Sequence, residues 1–416
     1  MECIFVNGGR ALNGTVAASG AKNSALAIMT ATLLSSGEHR ISGVPDLRDI
    51  STMKRLIGHL GVQITGDNDL TCDATHIDIV DAPYELVKTM RASFLVLGPL
   101  LARFGNARVS LPGGCAIGLR PVDIHIKAFE AMGAEIKIEN GYVHAACERM
   151  HGAHILLDMP TVGGTENIMM AACLADGVTV IENAAREPEI SDLAIALRSA
   201  GARITGDGTG TITIEGVKEL SPITHTVMPD RIEAGTLLIA GAITAGDVTV
   251  ENCPVEHMGA TLEKLREVGC DLEASGSSVR IRSNGSLQSV EVTTSPYPGF
   301  PTDMQAQLMS LLTLAGGTSL IRETVFENRF IHVAELDRMG AHIRVERDCA
   351  VVTGVEQLEA ARVMASDLRA SASLILAGLA AKGTTVVSRI YHLDRGYEAL
   401  EKKLQHLGAD IHRGQE

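Results

Sequence analysis

The run Leu56-Ile57-Gly58-His59-Leu60-Gly61-Val62-Gln63-Ile64-Thr65 reads as a helix end, a glycine stop and the start of a strand. Ile50, Met53, Leu56, Ile57 and Leu60 make a one-sided apolar stripe at helical spacing. Gly61 ends that helix, and Val62 to Thr65 then pairs with Leu70 to Asp73 across the Gly66-Asp67-Asn68-Asp69 turn. The same grammar returns at Met132-Gly133-Ala134, Ala200-Gly201-Ala202 and Leu407-Gly408-Ala409, and Gly269 and Gly340 complete the series. A second series, at Gly37, Gly105, Gly177, Gly246, Gly317 and Gly383, closes an earlier helix in each copy; spacings within both series are 66 to 72 residues.

The chain is therefore a sixfold repeat. Each copy holds a helix, a short strand, a second helix and two short strands, a βαβαββ-like unit in an α/β protein. Three repeats on each side of Pro229-Asp230 suit a length of 416 residues, which exceeds one ordinary domain. The first helices, as at Ile168 to Ala175, Leu237 to Ile243 and Leu374 to Ala381, are apolar on nearly every face and belong at the centre of each domain. Parallel central helices would present their N–H groups and positive dipole ends together.

Fourteen or fifteen positions before the first glycine series stand Lys22-Asn23, Arg91, Gly163, Arg231, Asp303 and Arg369. Cations at helix starts oppose the macrodipole, so their recurrence points to an anionic ligand that compensates them. Asp303 fits an ordinary first-turn or capping carboxylate equally well. His125 fits a satisfied helix-start imidazole as well as a functional one.

Composition narrows the partners. A net charge of −14 excludes general affinity for nucleic acid or an anionic membrane. No basic segment followed by an apolar run opens the chain, and the apolar stretch near Phe94 to Phe104 is too short to span a bilayer, so a cytoplasmic protein is expected. Eight cysteines show neither a CxxC pair nor a cluster with histidine, which predicts no zinc and no disulfide framework, with most thiols buried.

The loops after each first strand carry Arg48, Cys115 with Arg120, Arg186-Glu187, Glu256-His257, Arg329 and Asp394-Arg395. The loop Pro112-Gly113-Gly114-Cys115-Ala116-Ile117-Gly118-Leu119-Arg120-Pro121 stands apart, because three glycines accompany a thiol and a guanidinium. It reads either as a lid bearing an acid or nucleophile or as a structural thiol in a glycine-rich turn.

Several phrases along the whole chain resemble the UDP-N-acetylglucosamine enolpyruvyl transferase family. They include Ser19-Gly20-Ala21-Lys22-Asn23, Lys88-Thr89-Met90-Arg91-Ala92-Ser93, Leu111-Pro112-Gly113-Gly114-Cys115, Arg120-Pro121-Val122-Asp123, Phe300-Pro301-Thr302-Asp303-Met304-Gln305, Phe326-Glu327-Asn328-Arg329, Asp367-Leu368-Arg369-Ala370 and Asp394-Arg395-Gly396-Tyr397-Glu398. The resemblance implies a two-domain inside-out α/β barrel with domains 22–229 and 1–21 plus 230–416, and a site between them. It implies transfer of the enolpyruvyl group of phosphoenolpyruvate to the 3′-hydroxyl of UDP-N-acetylglucosamine, the first committed step of peptidoglycan synthesis. No metal or organic cofactor is implied, and the partners are the two small-molecule substrates.

By the same resemblance, Cys115 is the proton donor to the methylene carbon and the target of fosfomycin, and Asp303 accepts the proton of the sugar hydroxyl. Lys22, Asn23, Arg120, Arg369 and Arg395 contact phosphoenolpyruvate. Arg91, Arg120, Pro121, Val122, Asp123, Ile124, Thr161, Val162, Gly163, Asp303 and Val325 line the nucleotide-sugar pocket, with Arg329, Asp367, Glu187 and Arg231 in support. Met159 departs from the pattern, standing where some relatives carry a lysine near the diphosphate. A sister enzyme acting on shikimate 3-phosphate shares the repeat and the chemistry; the Cys115 loop separates the two. A sensor of UDP-sugar that has lost catalysis is the remaining reading, and intact Lys22, Cys115, Asp303 and Arg395 oppose it.

Overall fold

The structure is a computed structural model that describes residues 2–113 and 122–415. Cys115, Arg120 and Pro121 lie outside the described residues. The chain divides into a first lobe, residues 20–113 with 122–228, and a second lobe, residues 2–19 with 229–415. Each has its own apolar core.

Six four-stranded sheets carry the repeat. Repeat two shows the plan: Asp81–Ala82 lies parallel to Asn106–Ser110, which pairs antiparallel with Tyr142–Ala146, the second arm of a hairpin begun by Glu135–Glu139. A helix, Leu97–Phe104, precedes the central strand, and another, Asp123–Ala131, leads into the hairpin. Parallel neighbours need such a crossover, whereas antiparallel neighbours need only a turn.

Chain closure distributes strands out of sequence. Repeat one takes its parallel strand from Thr224–Thr226, at the far end of the same lobe. Repeat four takes its parallel strand from Asn13–Ala17. Repeat six has only Asp410–Gln415 of its hairpin, and Glu2–Asn7 supplies the missing arm, paired on both sides.

The second glycine series does what the sequence demands of it. Gly61, Gly133, Gly201, Gly269, Gly340 and Gly408 all take φ between 86° and 117°. Each N–H bonds back to the carbonyl three residues earlier, as in Gly61 to Gly58, and the next residue's N–H bonds to the carbonyl five back, as in Val62 to Ile57. This pair of bonds satisfies the last helical carbonyls and needs a left-handed residue between them. In the first series Gly246 differs: the left-handed residue is Ala245 (φ 50°). Glycine is required at 246 because a Cβ there would lie 2.1 Å from the carbonyl oxygen of Leu12, where the N-terminal segment crosses.

The first helices are buried as their all-round apolarity predicts. Ile232 to Ile243 are buried without exception in Arg231–Ile243, and so is every residue of Gln305–Leu312. These two and Leu368–Ala380 pack on one another at the centre of the second lobe. The second helix of repeat one, Arg48–His59, instead buries Ile50, Met53, Leu56 and Ile57 on one face. No helix among the described residues is long and apolar enough to cross a membrane.

Candidate active site

Each lobe gathers its own part of the charged register. In the second lobe Asp303 sits on the turn Thr302–Met304 that opens the helix Gln305–Leu312. Its Oδ1 accepts from Arg329 Nη2 at 2.8 Å, and its Oδ2 from Arg369 Nε at 3.1 Å and Nη2 at 2.8 Å. Both guanidiniums are almost fully buried, with side-chain exposures of 4% and 5%, whereas the carboxylate keeps 29%. A buried guanidinium needs a matching anion, and this one carboxylate serves both.

Arg369 stands in the first turn of Leu368–Ala380, whose cap is Asp367: Oδ1 accepts from the N–H groups of Arg369 and Ala370 at 2.9 and 3.1 Å. Burial alone would push Arg369 down, but Asp303, then Tyr397 and Asp230, outweigh it and hold the guanidinium above its ordinary value. Asp230 caps the helix that Arg231 begins. Arg395 ends the turn Ile390–Arg395, which packs on Leu368–Ala380. His392 lies near both Arg395 and Asp367; burial, reinforced by Arg395, lowers its pKa against the pull of Asp367. The next-door Asp394 is gripped by Arg413, which also holds Glu401 at 2.7 Å, so the turn is tied to the last strand.

Glu323, which the sequence reading did not single out, organises this region. Its buried carboxylate accepts from the hydroxyls of Thr294 and Thr302, each at 2.9 Å, and from the N–H groups of Val325 and Phe326 at 2.8 and 3.1 Å. One anion thus fastens the Asp303 turn to the segment that carries Val325 and Arg329. His332 is buried beside them; burial first, then Arg329, pushes its pKa down to about 4 against the pull of Asp367.

In the first lobe Lys22 begins the helix Lys22–Ala31, and its Nζ lies 3.6 Å from Asp49 Oδ2, both side chains largely buried. Asn23 follows it on the same turn. Arg91 begins the turn Arg91–Val96 and faces His125. The starts of two further helices meet: Val122, Asp123 and Ile124 lead into Asp123–Ala131, while Thr161 caps Val162–Ala172 by accepting from the Gly164 N–H at 3.4 Å. A Cβ on Gly164 would lie 3.3 Å from Ile124 Cγ2, so the two nucleotide-pocket stretches expected from sequence are in contact. Glu187 precedes the helix Pro188–Ser199, and together with Glu189 and burial it pushes the carboxyl of Glu166 well above the usual range, burial being the largest cause.

Two cations of the register lie against carboxylates of the chain, and a third follows a capping carboxylate. Lys22 has Asp49, Arg369 has Asp303, and Arg231 follows the capping Asp230. Carboxylates of the chain thus offset part of the conflict with the macrodipole that these cations create.

Among the seven described cysteines none is bonded to another, and five are buried. Burial pushes the thiols of Cys72 and Cys270 up to about 11 and that of Cys173 to about 12. Cys253 reaches about 12 through burial, reinforced by Glu256. Such thiols are poor nucleophiles. Among the described residues no group of three or more His, Cys, Asp or Glu side chains could hold a metal ion.

Comparison with known proteins decides the family. The profile of the EPSP synthase (3-phosphoshikimate 1-carboxyvinyltransferase) family matches residues 6–404. A protein of Geotalea uraniireducens is 57% identical over the full length of both chains, and one of Geobacter metallireducens 55%; both are named UDP-N-acetylglucosamine 1-carboxyvinyltransferase. The same name belongs to a protein of Anaeromyxobacter dehalogenans, 57% identical over 99% of each chain. The chain belongs to this carboxyvinyltransferase family.

The fold agrees. The enolpyruvyl transferase NikO of Streptomyces tendae matches 99% of this chain and 98% of its own at a TM-score of 0.90 and 26% identity. EPSP synthase of Acinetobacter baumannii matches the full length of both chains at a TM-score of 0.77 and 18% identity, a likeness of fold alone. The chain thus has the enolpyruvyl transferase fold, and the family profile spans the architecture that both kinds of enzyme share.

Proposed function

We propose that the protein transfers the enolpyruvyl group of phosphoenolpyruvate to the 3′-hydroxyl of UDP-N-acetylglucosamine and releases phosphate, the first committed step of peptidoglycan synthesis. The observation that carries this is the Asp303 carboxylate, held between two buried guanidiniums, in a chain 57% identical to a UDP-N-acetylglucosamine 1-carboxyvinyltransferase.

The reaction is an addition followed by an elimination. In the first step the sugar oxygen bonds to C2 of phosphoenolpyruvate, the hydroxyl proton passes to Asp303, and C3 takes a proton from the Cys115 thiol. In the second step C3 returns a proton to the Cys115 thiolate, the C2–O bond to phosphate breaks as the phosphate leaves with the proton held by Asp303, and the vinyl ether forms. Asp303 suits the first step, because an ionised carboxylate fixed in position accepts a proton without reorganising. Lys22, Arg120, Arg369 and Arg395 supply charge for the carboxylate and phosphate of phosphoenolpyruvate, with Asn23 beside them. Arg91, Arg120 to Ile124, Thr161 to Gly163 and Val325 hold the nucleotide sugar, and Arg329, Asp367, Glu187 and Arg231 support them. The reaction takes place in the cytoplasm and supports wall growth, cell shape and division, and fosfomycin blocks it at Cys115.

Phosphate release by the purified protein tests the reading. It is expected with phosphoenolpyruvate and UDP-N-acetylglucosamine, and not when shikimate 3-phosphate replaces the nucleotide sugar. Release with shikimate 3-phosphate alone, or with neither, overturns it.

A further inference from the structure

Tyr397, two residues beyond Arg395, is 1% exposed and packs against the buried Arg369, whose Cζ lies 5.4 Å from the centre of the ring. Gly396 permits the approach: a Cβ there would lie 2.6 Å from Leu368 Cδ2, at the start of the helix that carries Arg369. Three polar side chains meet the Tyr397 hydroxyl. It accepts a hydrogen bond from Arg369 and another from Gln307 Nε2 at 3.1 Å, and it lies 3.0 Å from Thr236 Oγ1. One from each, these three come from the helices Arg231–Ile243, Gln305–Leu312 and Leu368–Ala380 at the centre of the second lobe.

The chemistry of those neighbours fixes the direction of each bond. A guanidinium can only donate, and Gln307 Nε2 is the amide nitrogen because it meets the Asp303 carbonyl, an acceptor, at 2.8 Å. Of the three side chains only Thr236 can take the phenol hydrogen. Thr236 in turn donates its own hydrogen to the Ile232 carbonyl at 2.8 Å. The phenol keeps its hydrogen, since burial raises its pKa against the opposing pull of Arg369. A one-way chain therefore runs from Arg369 through Tyr397 and Thr236 to the Ile232 carbonyl, and Gln307 ties the same hydroxyl to the backbone of Asp303.

We propose that Tyr397 is a positioning residue for the pair of Asp303 and Arg369. Its hydroxyl holds the guanidinium so that Nε and Nη2 stay on Asp303 Oδ2, while Gln307 fixes the backbone from which the carboxylate springs. Thr236 completes the device by taking the phenol hydrogen, which turns the phenol oxygen towards its two donors. Removing the hydroxyl alone would leave buried donors on Arg369 and Gln307 without their acceptor, and such groups shift to find another. The inference rests on the proposed reaction and adds what keeps its proton acceptor aligned. Because Tyr397 acts through Asp303, its loss should fall on kcat more than on KM.

Steady-state kinetics of the full-length protein with phosphoenolpyruvate and UDP-N-acetylglucosamine tests it, with folding of each variant checked by urea unfolding. Tyr397→Phe should lower kcat by about tenfold and leave both KM values within about threefold of wild type. Thr236→Val keeps the shape but removes the acceptor, and should lower kcat by about threefold or more, whereas Thr236→Ser keeps the hydroxyl and should stay close to wild type. A side chain that only filled space would give the opposite order, since valine matches threonine in size better than serine does. The double variant Tyr397→Phe/Thr236→Val should be no slower than Tyr397→Phe, because both changes break one chain. Wild-type kcat in Tyr397→Phe, a kcat in Thr236→Val equal to or above that of Thr236→Ser, or losses that multiply in the double variant overturns the inference and leaves the proposed reaction standing. If Tyr397→Phe does not fold, the order of Thr236→Val and Thr236→Ser decides alone. Wild-type protein that forms no enolpyruvyl ether from the two substrates overturns both.

Discussion

Arg369 reaches Asp303 across 66 residues of chain and places two donors, Nε and Nη2, on the single oxygen Oδ2 at 3.1 and 2.8 Å. The other oxygen is taken by Arg329. A side chain so constrained suits the proposed role of fixed proton acceptor, and its one negative charge is shared between two cations that burial would otherwise make costly.

Asp303→Ala should therefore do two separable things. Turnover should fall by at least about a thousandfold, a loss within what removal of a general base produces, while UDP-N-acetylglucosamine still binds. Stability should drop by roughly 3 kcal/mol, since the variant leaves two buried guanidiniums without their carboxylate. Steady-state kinetics and denaturant unfolding read the two effects; full turnover in the folded variant would remove Asp303 from the mechanism.

Glu323→Gln keeps the size of the side chain but turns one acceptor oxygen into a donor facing other donors. The Asp303 turn and the Val325 segment should then loosen together. A kcat lower by about tenfold, with KM for the nucleotide sugar nearly constant, is the expected signature of misplacement by a fraction of an ångström. An unchanged kcat would show that Glu323 has no influence on the site.

His332 links stability to pH. Its pKa in the folded chain is about 4, below the ordinary 6.5. The unfolded chain therefore binds the proton first as pH falls, so the stabilisation is present above pH 6.5 and is lost progressively towards pH 4, by about 3 kcal/mol at most. Urea unfolding of wild type and His332→Gln at pH 7 and pH 4.5 should show a steeper acid loss for wild type. Parallel losses would contradict this.

Fosfomycin should modify one thiol. Cys72, Cys173, Cys253 and Cys270 are poor nucleophiles because burial raises their pKa values. Peptide mass mapping is expected to find the adduct at Cys115 and nowhere else; Cys115→Ser should take up no label. Label at any other cysteine would contradict the assignment.

Removing residues 2–7 should unfold much of the second lobe and spare the first. Glu2–Asn7 is paired on both sides within repeat six, and Ile4 and Val6 are fully buried. Hydrogen exchange is expected to lose protection across 229–415 and keep it across 20–113.

Much of this was legible because the repeat writes the same local physics six times. Each Gly61-type stop follows from the carbonyls that a helix end leaves unpaired, and the stripe from Ile50 to Leu60 follows from having one face on the core. Charge at the register of Lys22, Arg91, Arg231 and Arg369 was visible too, but its partners were not. Asp49 and Asp303 meet their cations only through tertiary packing, which no spacing encodes. Glu323 and Thr236 stayed hidden for the same reason: a buried Glu at a strand end and a Thr inside an apolar helix look unremarkable until their donors are seen. The need for glycine at 246 comes from the carbonyl of Leu12, more than two hundred residues away.

The most direct test of the central claim is the reaction run in D2O with phosphoenolpyruvate and UDP-N-acetylglucosamine, followed by NMR of the product. Addition followed by elimination passes through a C3 methyl group, so a vinyl ether at the sugar 3′-oxygen with deuterium on its terminal carbon is predicted. A product without the ether, or an ether free of deuterium, would contradict the account.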